Sequence, residues 1–141
     1  MYDKVLIATD GSEASTGCVE YGLAVAEAMD ADVDAMYVVE TGATYILTVD
    51  LADSDLNEYR AYGEEVVTDV VEQAADRNLR ANGVVKMGNP AEKIAEHADT
   101  NDFDLIVVGK QGHGAIDRHL GGTAESVMWL AETPVTVVGG D

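Results

Sequence analysis

The sequence predicts an α/β fold: a single open five-stranded parallel sheet with helices on both faces and strand order 3-2-1-4-5. Of five short strand-like runs, the first and fourth are uninterrupted and apolar, as expected of strands buried on both faces. Longer stretches with helical spacing separate them. Strand–helix alternation of this kind builds a parallel sheet through right-handed crossovers. With the first strand central, the carboxyl ends of strands one and four lie side by side where the winding reverses, which is the expected ligand crevice.

Lys4 to Thr9 is the first strand, then a turn at Asp10-Gly11-Ser12 and a helix from about Ser12 to Met29. Ala14, Cys18, Tyr21, Val25 and Ala28/Met29 mark its expected inner face, with Glu13, Glu20 and Glu27 on the wet side. Asp32 to Val39 is the second strand. The connection from Glu40 to about Asp53 is long for a structureless loop, and both a lid and a short extra strand remain open. A helix from about Ser54 to Arg80 carries Leu56, Tyr59, Gly63, Val66/Val67, Val70 and Ala74 as its core stripe, and Asn82-Gly83 as its stop. Val84 to Met87 is the third strand.

Asn89-Pro90-Ala91-Glu92 reads as N-cap, Pro at the first helical position and Glu three after the cap. That helix runs to about Thr100 with Ile94, Ala95 and Ala98 inward and His97 as a surface or helix-end residue. Asp104 to Val108 is the fourth strand. The last helix begins near Gly122, sets Val127 and Leu130/Ala131 on one face, and stops before Pro134. Pro134 to Val138 is the fifth strand, an edge rich in Val that invites pairing with a second chain.

The stretch from Leu105 to Ala124 combines a buried strand, the glycines of Gly109-Lys110-Gln111-Gly112-His113-Gly114 and Gly121-Gly122, and a helix start at Thr123-Ala124. Glycines admit backbone N–H groups close to a phosphate, and a helix start offers unpaired donors and a positive dipole end. With 27 acids in 141 residues, a window of this length should hold about four. It holds one, Asp117, alongside Lys110, Arg118, His113 and His119. An anion site is the expectation. Asp10 keeps two readings, a turn residue or a carboxylate that accepts ribose hydroxyls in the crevice.

A net charge of −19 excludes nucleic acid and anionic membrane as partners by repulsion. It also fits a halophilic source, because molar salt shortens the Debye length to about 3 Å. Cys18 is the one cysteine, so no internal disulfide forms, and it is expected to be a buried inert thiol. With no N-terminal signal and no apolar run near the roughly 20 residues of a membrane span, the expected location is cytoplasmic.

The spacing Gly109-x2-Gly112-x9-Gly122-Thr123 resembles the Gly-x2-Gly-x9-Gly-Ser/Thr signature of ATP-binding universal stress proteins. Leu6-Ile7-Ala8-Thr9-Asp10-Gly11-Ser12 is similar to that family's first strand and turn, and Thr133-Pro134-Val135-Thr136-Val137-Val138 to its ending. The resemblance covers essentially the whole chain, residues 1–141, as one domain, and implies a Rossmann-like fold of the adenine nucleotide alpha hydrolase type. It implies that Ala8 and Thr9 border base and ribose, that Asp10 contacts the ribose side, and that Val38 and Val108 line the adenine pocket. Gly109 and Gly112 would approach ribose and phosphates, while Gly122, Thr123 and Ala124 offer N–H groups and a hydroxyl to the phosphate tail. Two departures from the pattern stand out: Ala8 is found where many members have Pro, and Lys110-Gln111 replaces the commoner small or basic pair.

The function implied is a dimeric stress-response regulator that uses bound ATP, or AMP, with Mg2+ as a signal to an unidentified protein partner. The homodimer would form through Val135 to Val138. Chemistry has little support, since the Walker lysine, His-x-Gly-His and Ser-Gly-Gly-x-Asp motifs are absent. A slow ATPase using Asp10 and a metal, and a nucleotide-free interaction module, are the competing readings.

Overall fold

The computed structural model describes residues 2–40, 53–110 and 122–139. Its strands are β1 (Lys4–Ala8), β2 (Asp32–Glu40), β3 (Ala81–Gly88), β4 (Leu105–Gly109) and β5 (Val135–Val138). Its helices are α1 (Thr16–Met29), α2 (Asp53–Asp76), α3 (Pro90–Thr100) and α4 (Gly122–Leu130). All strand pairs are parallel, in the order β3-β2-β1-β4-β5, as the alternation of elements predicts.

The sheet divides the apolar side chains into two cores. Val5, Ile7, Val33 and Val107 face α1 and α2, through Cys18, Leu23, Ala26, Val67, Val70 and Ala74. Leu6, Met36, Ile106 and Val108 face α3 and α4, through Ala91, Ile94, Ala98, Ala124 and Val127. Each large aliphatic side chain buried this way contributes about 1.5–3 kcal/mol. Consecutive residues of β1 therefore hold down opposite layers, which is why its run of Val, Leu and Ile shows no alternation.

Several elements differ from the expectation. The first helix does not begin at Ser12: a 3₁₀ turn, Glu13–Ser15, precedes α1. Its inner face is Cys18, Val19, Gly22, Leu23 and Ala26, while Tyr21, Ala28 and Met29 point outward. Gly22 decides this orientation. A Cβ there would stand 2.6 Å from Ile7 Cδ1, so the helix closes on the sheet at the residue without a side chain.

The long helix ends at Asp76, not Arg80, and Asn82-Gly83 lies inside β3. The stop is Asn78, at φ 63°, with the Leu79 N–H donating to the Ala74 carbonyl at 2.9 Å. Gly83 instead lets α2 pack down, since a Cβ there would meet Val67 Cγ2 at 2.7 Å. Tyr59 is half exposed, outside the core stripe that Val67, Val70 and Ala74 form.

His97, read as a surface or helix-end residue, stands in the last turn of α3 but turns inward and places Nε2 2.9 Å from Asp34 Oδ2, joining α3 to β2. Leu130 is exposed, while its alternative Ala131 packs on the second core. The Asn89 cap holds as read, accepting from the Glu92 N–H at 3.0 Å. The 41–52 connection, with Tyr45-Ile46-Leu47, lies outside the described residues.

Asp99 ties the end of α3 to the turn between α4 and β5. Its carboxylate accepts from the Thr133 hydroxyl at 2.7 Å and from the Glu132 and Thr133 N–H groups. Partial burial raises its pKa, but the Thr133 hydroxyl and the Glu132 and Thr133 amides together outweigh that and hold it below the ordinary carboxylate value. The folded pKa lies below the unfolded one, so this stabilisation is present above the unfolded pKa and is lost as pH falls through the folded value. Acid unfolding followed by circular dichroism should show Asp99→Asn less stable than wild type at pH 7, with the gap closing below about pH 4. A gap that persists at pH 2 would contradict the assignment.

Candidate functional site

The crevice forms where β1 ends. Register pairs Ile7 with Val107 and Ala8 with Met36, so Ala8, Thr9 and Asp10 leave the sheet between Val108-Gly109 on one side and Tyr37-Val38 on the other. Ala8, Val38, Val108 and Ala124 meet in one apolar cluster on the α3/α4 face. Four residues that the sequence assigns to the site, separated by up to 116 positions, thus belong to one core cluster, Val108 and Ala124 buried within it and Ala8 and Val38 half-buried against it. Gly109 sits at the carboxyl end of β4, paired with Val138, and Gly122 and Thr123 open α4 with exposed positions. Gly112, with His113, Asp117, Arg118 and His119, lies outside the described residues.

Thr9 behaves differently from its neighbours. Its side chain is buried, and its Oγ1 accepts from the Gly11 N–H at 3.1 Å and lies 2.8 Å from Ser15 Oγ. Ser15 Oγ in turn donates to the Ser12 carbonyl at 2.8 Å. The hydroxyl is thus engaged in bracing the turn, leaving only the Thr9 backbone to border a ligand. Asp10 Oδ1 accepts from the Ser12 N–H at 2.9 Å, the bond of an Asx turn. Its Oδ2 has no hydrogen-bond partner among the described residues. The turn reading of Asp10 is therefore realised through Oδ1.

The sequence analysis missed the support behind this turn. Gly11 has φ 79°, and a Cβ on it would stand 2.6 Å from Tyr62 Oη and 2.7 Å from Val66 Cγ2. Tyr62 packs edge-on against Tyr37, with centroids 5.6 Å apart. Gly63 makes this possible, because a Cβ there would meet Tyr37 Cδ1 at 2.6 Å. The signal was the Tyr62-Gly63 pair on the long helix, legible only once α2 is known to lie over β2 and β3.

The electrostatics around the turn are anionic. Burial, and then the Asp10 charge, push the Cys18 thiol up to about 12. Burial, then Tyr62, Asp10 and Tyr59, raise the Tyr37 phenol. Among the described residues, no group of three or more His, Cys, Asp or Glu is placed to hold a metal ion. A shallow groove elsewhere, along α2, is lined by Glu64, Glu65, Thr68, Asp69 and Glu72, and its four carboxylates repel any anion.

The model of the universal stress protein family matches residues 1–139. "Universal stress protein MJ0531" of Methanocaldococcus jannaschii is 32% identical over 140 residues, covering 98% of this chain and 82% of that protein. The chain belongs to the universal stress protein family. Solved structures of the family share its fold. Universal stress protein UspA from Lactobacillus plantarum superposes with TM-score 0.83 at 22% identity, covering 97% of each chain. A universal stress protein crystallised in complex with cAMP gives 0.77 at 23% identity, covering 99% of each. A family member from Arabidopsis thaliana with AMP bound gives 0.73 at 18% identity, covering 99% of this chain and 92% of that one. Among the described residues, no helix is long and apolar enough to cross a membrane.

Two measurements check the turn. Replacing the buried Thr9 hydroxyl by a methyl, Thr9→Val, should cost about 1–3 kcal/mol in urea unfolding, because the Gly11 N–H loses its acceptor and Ser15 Oγ keeps only the Ser12 carbonyl. In the folded protein Cys18 should react with a thiol reagent only at the rate of unfolding; reaction at the rate of a free thiol would contradict its burial.

Proposed function

We propose that this universal stress protein binds an adenine nucleotide, ATP by preference, in the crevice at the carboxyl ends of β1 and β4, and acts as a dimeric cytoplasmic regulator with the whole chain as one domain. The observation that carries the reading is that Ala8 and Val38, half-buried, pack on the same core as Val108 and Ala124 where β1 ends in Asp10. Ala8 and Val38 would give a base an apolar seat, with an Asp10 carboxylate oxygen near for ribose hydroxyls. The cAMP and AMP complexes of family members support an adenine ligand. Backbone donors at Gly109, Gly112, Gly122, Thr123 and Ala124, with the Thr123 hydroxyl, would take the phosphates at the positive end of α4.

Gly122 favours a ligand over a packing role. A Cβ there meets nothing within 4 Å, and its φ is not in the left-handed region, so neither the fold nor the backbone requires glycine. Mg2+ would enter with the phosphates, because the described side chains form no cage for it. Bound nucleotide then acts by favouring one conformation of the protein toward its partner. The dimer forms through the free edge of β5, Val135 to Val138.

Equilibrium dialysis in high salt tests the reading. Wild type should bind ATP or AMP with a dissociation constant below millimolar. Gly122→Val should retain its melting behaviour and lose at least tenfold in affinity, about 1.4 kcal/mol. Absence of binding by wild type would leave the nucleotide-free interaction module. Steady release of ADP that is lost in Asp10→Asn would instead favour the slow ATPase.

A further inference from the structure

We propose that Tyr62 is a positioning residue for the nucleotide site: packed over the β1 turn, it holds the Asp10 carboxylate in register with the ribose hydroxyls and so sets the preference for ribose. This rests on the adenine-nucleotide reading above. The pairing of β1 with β2 ends one residue short of Asp10, where the Thr9 N–H donates to the Met36 carbonyl at 3.0 Å. Asp10 has no strand pairing among the described residues, so its place depends on the turn that follows. Inside the turn the bonds are local. Asp10 Oδ1 accepts from the Ser12 N–H and Thr9 Oγ1 from the Gly11 N–H, which fixes the shape of the turn itself.

A restraint from outside comes from α2. Tyr62 and Val66, one helical turn apart and so on one face, both close on Gly11. Tyr62 presents its phenolic end there, with Oη 2.6 Å and Cζ 3.2 Å from where a Gly11 Cβ would stand. The ring is held in turn by Tyr37, which meets it edge-on at an interplanar angle of 77°. Tyr37 follows Met36, the last residue of β2 to receive a bond from β1. Tyr62 therefore spans the place where the two strands part, touching the β1 turn with one end and β2 with its ring. The Asp10 charge reaches the same pair: after burial and Tyr62, it raises the Tyr37 phenol.

Core packing does not call for a Tyr at this position. Tyr62 is 45% exposed, and the inner face of α2 is buried through Val67, Val70 and Ala74. What Tyr62 adds is its contact with Gly11. Ala8 and Val38 pack in the core on the other face of the sheet, so the seat for the base does not depend on α2. A carboxylate accepts a hydroxyl only within narrow limits of distance and angle. Shifting the turn by about 1 Å would thus cost the bonds to ribose and spare the base.

Equilibrium dialysis of the whole chain in high salt, with ATP and with 2′,3′-dideoxy-ATP, tests the proposal. The two ligands carry the same phosphates, so repulsion by the anionic surface is common to both. Wild type should favour ATP by about tenfold or more, the worth of hydrogen bonds to a charged group. Tyr62→Ala should lose that preference and bind dideoxy-ATP within about twofold of wild type, whereas Tyr62→Phe, which keeps the ring, should retain it. Asp10→Asn keeps an oxygen for the Ser12 N–H but removes the charge; there the preference should already be gone, and Tyr62→Ala should add nothing. Circular dichroism confirms folding, and Tyr62→Leu carries the same expectation should the Ala variant unfold. A folded Tyr62→Ala or Tyr62→Leu protein that keeps the preference, or that loses both ligands equally, overturns the proposal and leaves the nucleotide site standing. Wild type that binds both ligands alike overturns the ribose role, and wild type that binds neither overturns the nucleotide reading with it.

Discussion

The parallel pairing of β1 between β2 and β4 is the constraint on which the rest depends. Its register delivers Ala8, Thr9 and Asp10 to the edge of the sheet at the level of Val108-Gly109 and Tyr37-Val38. The two cores keep it there, because Val5 and Ile7 are clamped from one side and Leu6 from the other. A slip of one residue would exchange those faces and carry the whole β1 turn away from that level.

The turn after β1 is rigid for reasons that precede any ligand. Gly11, Ser12 and Ser15 are held by Thr9 and Asp10, and Tyr62 lies over the one position where no side chain fits. Preorganisation of this kind lowers the ordering cost of binding. Thr9 and Asp10 both brace the turn, Thr9 through Oγ1 and Asp10 through Oδ1, while Ala8 packs against the second core.

Most of the fold was legible because buried parallel strands lack alternation and helices alternate between them. The Asn89-Pro90 cap and the anionic composition could be read directly. Errors arose where glycine, not hydrophobicity, governed packing. Gly22 turned α1 so that Tyr21 and Met29 face outward, and Gly83 served a strand although Asn-Gly reads as a helix stop. Hydrophobic spacing ranks Tyr and Leu as core residues, yet tertiary contact can prefer a position with no side chain. The Asp34–His97 pair was invisible for a related reason: its members are 63 residues apart, and only the crossing of α3 over β2 brings them together. At the candidate site, Ala8, Val38, Val108 and Ala124 were named by the family resemblance and topology gave only the approach of β1's end to Gly109, whereas the consumption of the Thr9 hydroxyl depended on a turn that periodicity cannot describe.

The account places an anion in a molecule whose surface otherwise rejects anions, so it commits to one location. Backbone amide NMR during titration with ATP tests it most directly. Shifts should concentrate at Gly109, Gly122, Thr123 and Ala124 and at the end of β1, and leave the acidic face of α2 unmoved. Shifts scattered over α2, or none at these amides with ATP in millimolar excess, would contradict it.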